Sequence, residues 1–157
     1  MNDGSVVDIY ITPETAGDMV RKRAVEAVES RGLRGDRYYS GDGIWNEMDG
    51  EETEASDVTF IEAEAIEAVR EDYDIDLGFG DPRRNVVTRD VALNHLVGER
   101  FTVGHVVCEG VGLCSPCGYM QGLVGKGNVA EALTHRGGLD ATVVESGEIS
   151  VGDTVEW

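Results

Sequence analysis

The residues best suited to chemistry are two cysteines in the segment Leu-Cys-Ser-Pro-Cys, residues 113–117. Cys114 and Cys117 are separated by two residues, and Cys108 is the third and last cysteine of the chain. A Cys-x-x-Cys pair can exchange disulfides, supply half of a zinc site, or offer one thiolate to a metal cofactor. Each kind of chemistry requires different companions elsewhere in the sequence.

Disulfide exchange of the thioredoxin type is disfavoured by the surroundings of the pair. Proteins of that type resemble one another in a proline that follows the motif and packs in cis against the disulfide. The three prolines here are Pro13, Pro82 and Pro116, so none follows the pair. The βαβ pattern that accompanies such a motif is also missing.

A structural zinc site requires four ligands of suitable type. Cys108 and one of three histidines could join the pair, the histidines being His95, His105 and His135. However, the sequence has no second Cys-x-x-Cys and no closely spaced histidines. Cys108 also lies in an apolar strand pattern, where cysteine usually packs as a small core residue. A third alternative makes all three cysteines packing residues, and the motif alone does not displace it.

Arginines provide the second chemical signal. Arg83, Arg84 and Asn85 are adjacent, Arg37 lies in the glycine-rich segment 32–38, and Arg136 precedes two glycines. Arginine forks bind phosphate and carboxylate groups, and glycine lets the backbone approach a ligand closely. Alternatively, these arginines are solvated or paired with acidic side chains and bind no ligand. This alternative explains the adjacent Arg83 and Arg84 least well. A thiolate with these arginines could hold an anionic cofactor that uses sulfur as a metal ligand.

The overall charge limits the possible partners. The chain has 157 residues, with 31 Asp and Glu against 13 Lys and Arg, and a net charge of -18. Its lysines are Lys22 and Lys126 alone. Such a surface repels nucleic acids and anionic lipids, so we expect neither as a partner. Apolar segments recur throughout, which favours a folded halophilic protein of a salt-rich cytoplasm over a disordered chain.

Several features predict a cytoplasmic protein. No segment approaches the roughly 18 consecutive apolar residues of a membrane span, and the first residues lack the pattern of a secretory signal. Three cysteines make a poor disulfide framework, so we expect reduced thiols. We expect a single domain over residues 1–157, and nothing in the sequence specifies an oligomeric state.

The elements that must position these residues are mostly strands. Residues 58–73 change from a strand pattern over 58–60 to helical spacing from Ile61 onward. Residues 14–30 fit either a helix or a strand with a turn. β-rich segments bounded by glycine turns predict further strands at 5–11, 85–88, 100–104, 105–111, 140–146 and 153–157.

The remaining segments indicate loops and short helices. We expect a loop at 31–43, an exposed acidic stretch at 44–57, and short helices at 119–125 and 128–135. Together the elements predict a mainly β fold with short helices, an α+β domain that resembles a β-barrel.

Five segments in the same order resemble the MOSC domain, the C-terminal domain of molybdenum-cofactor sulfurase, and especially its small stand-alone members. Tyr38 stands where many members carry histidine. The matching segments are 32–38, 58–69, 83–104, 113–117 and 133–153. The resemblance implies a β-barrel-centred MOSC fold.

The resemblance also implies site residues. The second cysteine of the motif, here Cys117, ligates molybdenum in members that bind the cofactor. Arg83, Asn85 and Ser115 match positions that contact the pterin. From charge we add Arg84, Arg37 and Arg136 as cofactor-binding candidates, and from its place at the strand–helix switch we add Thr59.

Three functions are compatible with this resemblance. The first is a molybdenum-cofactor-dependent reductase of N-hydroxylated compounds of the hydroxylamino-purine type, supplied with electrons by a separate flavin or iron–sulfur protein. The second is a sulfur carrier that accepts persulfide on Cys117 from a pyridoxal-phosphate cysteine desulfurase. The third is a cofactor-binding or carrier module without turnover. Pyridoxal phosphate also appears in descriptions of the family, but only Lys22 and Lys126 could form its Schiff base.

Overall fold

Eleven strands organise the part of the chain that the computed structural model describes, which is residues 3–13, 17–40, 57–114 and 129–157. In chain order they are β1 (Asp3–Ile11), β2 (Val20–Lys22), β3 (Ala24–Val28), β4 (Gly32–Leu33), β5 (Val58–Glu62), β6 (Val86–Arg89), β7 (Arg100–Val103), β8 (Val106–Leu113), β9 (Leu139–Glu145), β10 (Gly147–Ser150) and β11 (Thr154–Glu156). The helices are α1 (Arg37–Ser40), α2 (Ala63–Tyr73) and α3 (Val129–Ala132), with a 3₁₀ turn at Leu93–Leu96.

Seven of the strands close into a barrel. Their order is β11-β7-β8-β9-β5-β6-β1, and β11 pairs with β1 to complete the circle. The neighbours are antiparallel except β5 and β6, which run parallel. β2 adds to the outside edge of β1, and β10, β3 and β4 form a separate three-stranded sheet. The expected mainly β, barrel-centred fold is therefore confirmed.

The alternating side chains of the strands build the barrel core. Along β8 and β9 buried residues alternate with partly exposed ones, as a strand with one buried face requires. Phe60 of β5 meets Phe101 of β7 edge to face, with ring centroids 5.4 Å apart. Cys108 is 0% exposed in this core, which confirms its expected role as a packing residue.

Helix α2 packs on the outside of the barrel. Its buried residues Ala63, Ala65, Ile66 and Val69 follow helical spacing, which confirms the predicted helix. They join a second cluster with Ile61, Val87, Leu77 and Leu133. The helix begins at Ala63 and not at Ile61 as expected, because β5 continues to Glu62 in its pairing with β6. The helix ends at Asp74, whose φ of 52° is left-handed and cannot continue a helix.

Most predicted strands are confirmed, but the region before residue 40 differs from expectation. For residues 14–30 the pattern left helix or strand open, and the described part, residues 17–30, contains the strands β2 and β3. Val25 and Ala27 alternate with exposed neighbours, and β3 pairs with β10, which the pattern also did not reveal. The expected loop at 31–43 contains β4 and the single turn α1 within its described part.

The expectation of an exposed acidic stretch at 44–57 is wrong at its last residue. Asp57 is 6% exposed, because its carboxylate accepts a hydrogen bond of 3.0 Å from Val143 N and ties the start of β5 to β9. Residues 44–56 and the expected helix at 119–125 lie outside the described residues. The expected helix at 128–135 is the single turn α3. None of the helices in the described ranges is long and apolar enough to cross a membrane.

Candidate functional site

The side chain of Asn85 organises the start of β6. Its Oδ1 accepts hydrogen bonds from Thr59 N at 3.0 Å and Thr59 Oγ1 at 3.1 Å, and its Nδ2 donates to Tyr10 O at 3.1 Å. Asn85 and Thr59 are both buried. The amide thus ties β1, β5 and β6 together, where the parallel strands β5 and β6 lie side by side. Both predicted residues therefore support the backbone that carries Arg83 and Arg84.

Arg84 points into the protein beside Cys114. It is 8% exposed, and its Nε donates a hydrogen bond of 2.8 Å to Gly137 O. The next residue, Gly138, accepts from Cys114 N at 2.8 Å. The Cys114 thiol donates to Asp140 Oδ1 at 3.1 Å. Buried Arg84 and Cys114 and half-buried Asp140 thus form a polar cluster at the end of β8.

The Cys114 thiol is held in its protonated form. Burial raises its pKa far above the usual range, and Asp140 raises it further, while the Arg84 charge opposes this. Burial likewise raises the pKa of Cys108 to about 12. Neither of these thiols is therefore a ready thiolate at neutral pH in this arrangement.

Arg83 and Arg37 contact each other on the other side of Asn85 in the sequence from β6. Arg83 has a left-handed φ of 65°, and its Nη1 donates to Gly17 O at 2.8 Å. Buried Arg37 donates from Nη2 to Arg83 O at 3.3 Å and pairs through Nη1 with Asp36 at 3.3 Å. Arg37 therefore positions the unusual backbone of Arg83.

A cavity of about 510 Å³ lies beside Arg83. This volume is within the range of about 300–1,000 Å³ that small-molecule sites occupy. It combines a cation with two carboxylates and two aromatic rings, its walls being Tyr10, Asp18, Met19, Gly78, Phe79, Gly80, Asp81 and Arg83. Gly80 is required there, since a Cβ would come within 2.8 Å of the Tyr10 ring.

Arg136 does not join this group. Its Nε donates to Ala132 O at 2.8 Å, and its Nη2 lies 3.8 Å from Asp72 of α2. These contacts match the acid-paired alternative and tie α3 to α2. The structure thus brings Arg37, Arg83, Arg84, Asn85 and Thr59 together and places Arg136 in other contacts.

Ser115, Cys117 and Lys126 lie outside the described residues, and the chain enters that segment at Cys114. Within the ranges that the structure describes, no three His, Cys, Asp or Glu side chains are arranged to hold a metal ion. Lys22 is exposed on β2.

Sequence reasoning missed Tyr10, Asp18, Asp81 and Asp140. The two cavity carboxylates come from segments about 60 residues apart and carry no motif. Asp140 lies two residues after Gly138 within segment 133–153, and this position is the only feature of the sequence that points to it.

Comparisons with known proteins agree with this architecture. A family model described as the MOSC domain matches residues 46–156. No match was found among curated protein sequences.

Similar solved structures cover nearly the whole chain. The YuaD protein from Bacillus subtilis has 16% identity and a TM-score of 0.80, with 98% of this chain and 94% of that chain covered. YiiM from Geobacillus stearothermophilus has 13% identity and a TM-score of 0.72, with 98% and 74% covered. YiiM from Escherichia coli has 18% identity and a TM-score of 0.61, with 98% and 68% covered. At these identities the likeness concerns the fold.

Proposed function

Since the chain belongs to the MOSC domain family, which is associated with molybdenum-cofactor binding, we propose that it binds this cofactor beside Arg83 and Arg84 and reduces N-hydroxylated compounds. Hydroxylamino-purines represent the substrate class. A separate flavin or iron–sulfur protein provides the electrons.

The observation that carries the proposal is that Arg84 is buried and has no carboxylate partner among the described residues. Two arginines of the described residues are buried, and Arg37 has a carboxylate partner in Asp36. Arg84 has no carboxylate within salt-bridge distance among the described residues and donates only to a backbone carbonyl. A buried cation that finds no carboxylate among the described residues is costly, so an anionic group beside it would stabilise the site.

The cavity chemistry also fits a pterin with an anionic tail. Arg83 can bind a phosphate, for which the guanidinium fork is suited. Asp18 and Asp81 line the same cavity and can accept hydrogen bonds from the amino edge of a heterocycle. The donor set is therefore of the right kind for both ends of such a molecule.

The proposal assigns the metal ligand to Cys117 and a pterin contact to Ser115, following the family resemblance. The protonated, buried state of Cys108 and Cys114 supports this choice, because a soft metal requires a thiolate. When bound, the cofactor would supply a redox-active metal for the reduction of an N–OH group. The chain's residues bind and orient the cofactor and keep the buried arginine in place.

The reaction balances with two electrons and two protons. One N–O bond of R–NH–OH breaks, the electrons come from the donor protein, and the protons come from water. The products are R–NH₂ and water. The proposal assigns these electrons to a separate donor protein.

The test is molybdenum and zinc analysis of the chain purified at high salt from a host that makes the cofactor. We expect near-stoichiometric molybdenum, lost in Cys117→Ala and retained in the matched variant Cys108→Ala. Turnover of a hydroxylamino-purine with a small-molecule reductant then separates a reductase from a cofactor carrier.

Other outcomes would contradict the proposal. Zinc in place of molybdenum would indicate a structural Cys/His site. A protein that contains neither molybdenum nor zinc, but carries a persulfide on Cys117 by mass spectrometry, would indicate a sulfur carrier. Equal loss of molybdenum from both cysteine variants would refute the assignment to Cys117.

A further inference from the structure

We propose that an exposed basic surface on β2 docks the acidic face of a small electron-transfer protein. This basic patch consists of Arg21, Lys22, Arg23 and Val151. The inference rests on the proposed function, because it assigns the place where the reductase receives its electrons.

The charge of the patch contrasts with that of the chain. The net charge is -18 with only 13 basic residues, yet three basic residues follow one another at positions 21–23. No other three consecutive residues of the sequence are all basic. Arg21, Lys22 and Arg23 line a cavity of about 370 Å³ together with Asp8 and Val151. Asp8 neutralises one of the three cations, through Arg21 Nε at 2.7 Å.

The patch also exposes apolar surface. Val151 is 42% exposed. It is one of the five large hydrophobic side chains that are exposed in the described part of the chain. Among the described strands, β2 pairs only with β1. Apolar contact surrounded by charge is the usual composition of a protein docking surface.

The patch is continuous with the cavity beside Arg83. Asp18 and Met19 line that cavity, and the chain continues directly into Val20 and the basic residues. A second connection runs through Tyr10, which lines the same cavity and donates to Asp8 Oδ2 at 2.7 Å. Asp8 in turn binds Arg21, so a partner on the patch lies next to the proposed cofactor site.

The exposure of the cations favours a protein partner over a small anion. Lys22 and Arg23 are exposed, and the Arg21 side chain is 71% exposed. A small phosphate held by such solvated side chains would bind weakly, because water screens each contact. Electron-transfer partners dock through small, transient interfaces, for which charge steers the approach.

The electron balance defines what the partner does. Each reduced [2Fe–2S] protein gives up one electron, and two such encounters provide the pair that breaks one N–O bond. The two protons come from water, and two oxidised partner molecules leave.

The test uses the double variant Lys22→Glu/Arg23→Glu in the molybdenum-loaded full chain. The probes are an acidic [2Fe–2S] ferredoxin and an acidic flavodoxin, titrated in oxidised form by calorimetry and supplied in reduced form for turnover. We expect at least tenfold weaker binding and a tenfold higher KM for whichever probe binds the wild type. Molybdenum content and turnover with reduced methyl viologen should be unchanged.

The matched control is Arg34→Glu/Arg100→Glu, which alters the net charge by the same amount at two exposed arginines outside the patch. It should bind the probe as the wild type does. Equal weakening in both double variants, unchanged binding in the first, or no binding of either probe to the active wild type would overturn the docking surface alone. A wild type without molybdenum and without methyl viologen turnover would instead refute the proposed function, and with it the need for a donor.

Discussion

Some polar side chains in this site have structural roles that cannot be predicted from their residue types. Asn85 resembles a ligand-binding amide in the sequence, yet its described hydrogen bonds go to Thr59 and Tyr10. Arg37 donates to the carbonyl of Arg83, while Arg83 and Arg84 themselves donate to the carbonyls of Gly17 and Gly137. The Asn85 amide and the Thr59 hydroxyl therefore hold the backbone from which Arg83 and Arg84 extend.

The first prediction concerns this backbone support. Asn85→Ala leaves Thr59 N and Tyr10 O without their buried partner, which should lower the free energy of unfolding by about 2–4 kcal/mol. Urea unfolding measures the change. The matched variant Thr59→Ser keeps the hydroxyl and loses one methyl group, which should cost only about 1 kcal/mol. Equal stability of Asn85→Ala and the wild type would show that the amide bonds do not hold the strands together.

At the scale of elements, one close contact sets how the turn before β9 meets β5. Gly138 has a left-handed φ of 115°, and a Cβ there would lie 2.1 Å from Phe60 O. The preceding residue, Gly137, provides the carbonyl that binds Arg84. The approach of this turn therefore determines the position of the buried arginine.

The second prediction tests this close approach. Gly138→Ala must displace backbone as well as strain φ, so we expect a loss of roughly 2–4 kcal/mol in unfolding free energy and weaker molybdenum retention. Gly98→Ala is the control, because Gly98 has a φ of 79° with no atom within 4 Å of the added Cβ. It should show only the conformational cost of about 1–2 kcal/mol. Thermal and urea unfolding compare the two, and equal losses would exclude the steric contact as the cause.

The third prediction concerns Asp57, which links β5 to β9. Burial raises its pKa, and the hydrogen bond from Val143 N only partly opposes this. The folded state therefore holds the proton more tightly than the unfolded chain, whose Asp pKa is about 3.9. Its contribution to stability is complete below that value and is lost as pH rises through the higher folded pKa.

Comparison with Asp57→Asn isolates this effect from the many other carboxylates. The unfolding free energy of the wild type minus that of the variant should fall as pH rises from about 4 to 7. Urea unfolding of both proteins at several pH values gives the difference. A difference that rises with pH would contradict the direction of the pKa shift.

At the scale of the whole molecule, charge is the dominant property. A net charge of -18 on a chain of 157 residues creates repulsion that opposes the compact state. Salt at 1 M shortens the screening length to about 3 Å from about 10 Å at 0.1 M.

The fourth prediction is therefore a rise of melting temperature with KCl. Each kcal/mol of repulsion removed should raise Tm by about 2–4 °C for a domain of this size. Calorimetric scans from 0.1 to 2 M KCl measure it, with sucrose at equal osmolality as the control for excluded solute. A melting temperature independent of KCl would contradict adaptation to a salt-rich cytoplasm.

The sequence by itself determined the barrel-forming strands, helix α2, the core position of Cys108 and the adjacency of Arg83, Arg84 and Asn85. These follow from local periodicity and covalent order, which need no knowledge of distant partners. Five motifs in order also indicated the family, which the match over residues 46–156 shows.

Only the tertiary structure decided which of these residues meet. β3 became a strand because β10 pairs with it, and Asp57 became buried because Val143 lies across from it. The cavity beside Arg83 joins Tyr10, Asp18 and Asp81 from separate segments, and Arg136 binds α2 and α3 instead. Such contacts depend on strand register and barrel closure, which arise from long-range packing and leave no periodic trace in the sequence.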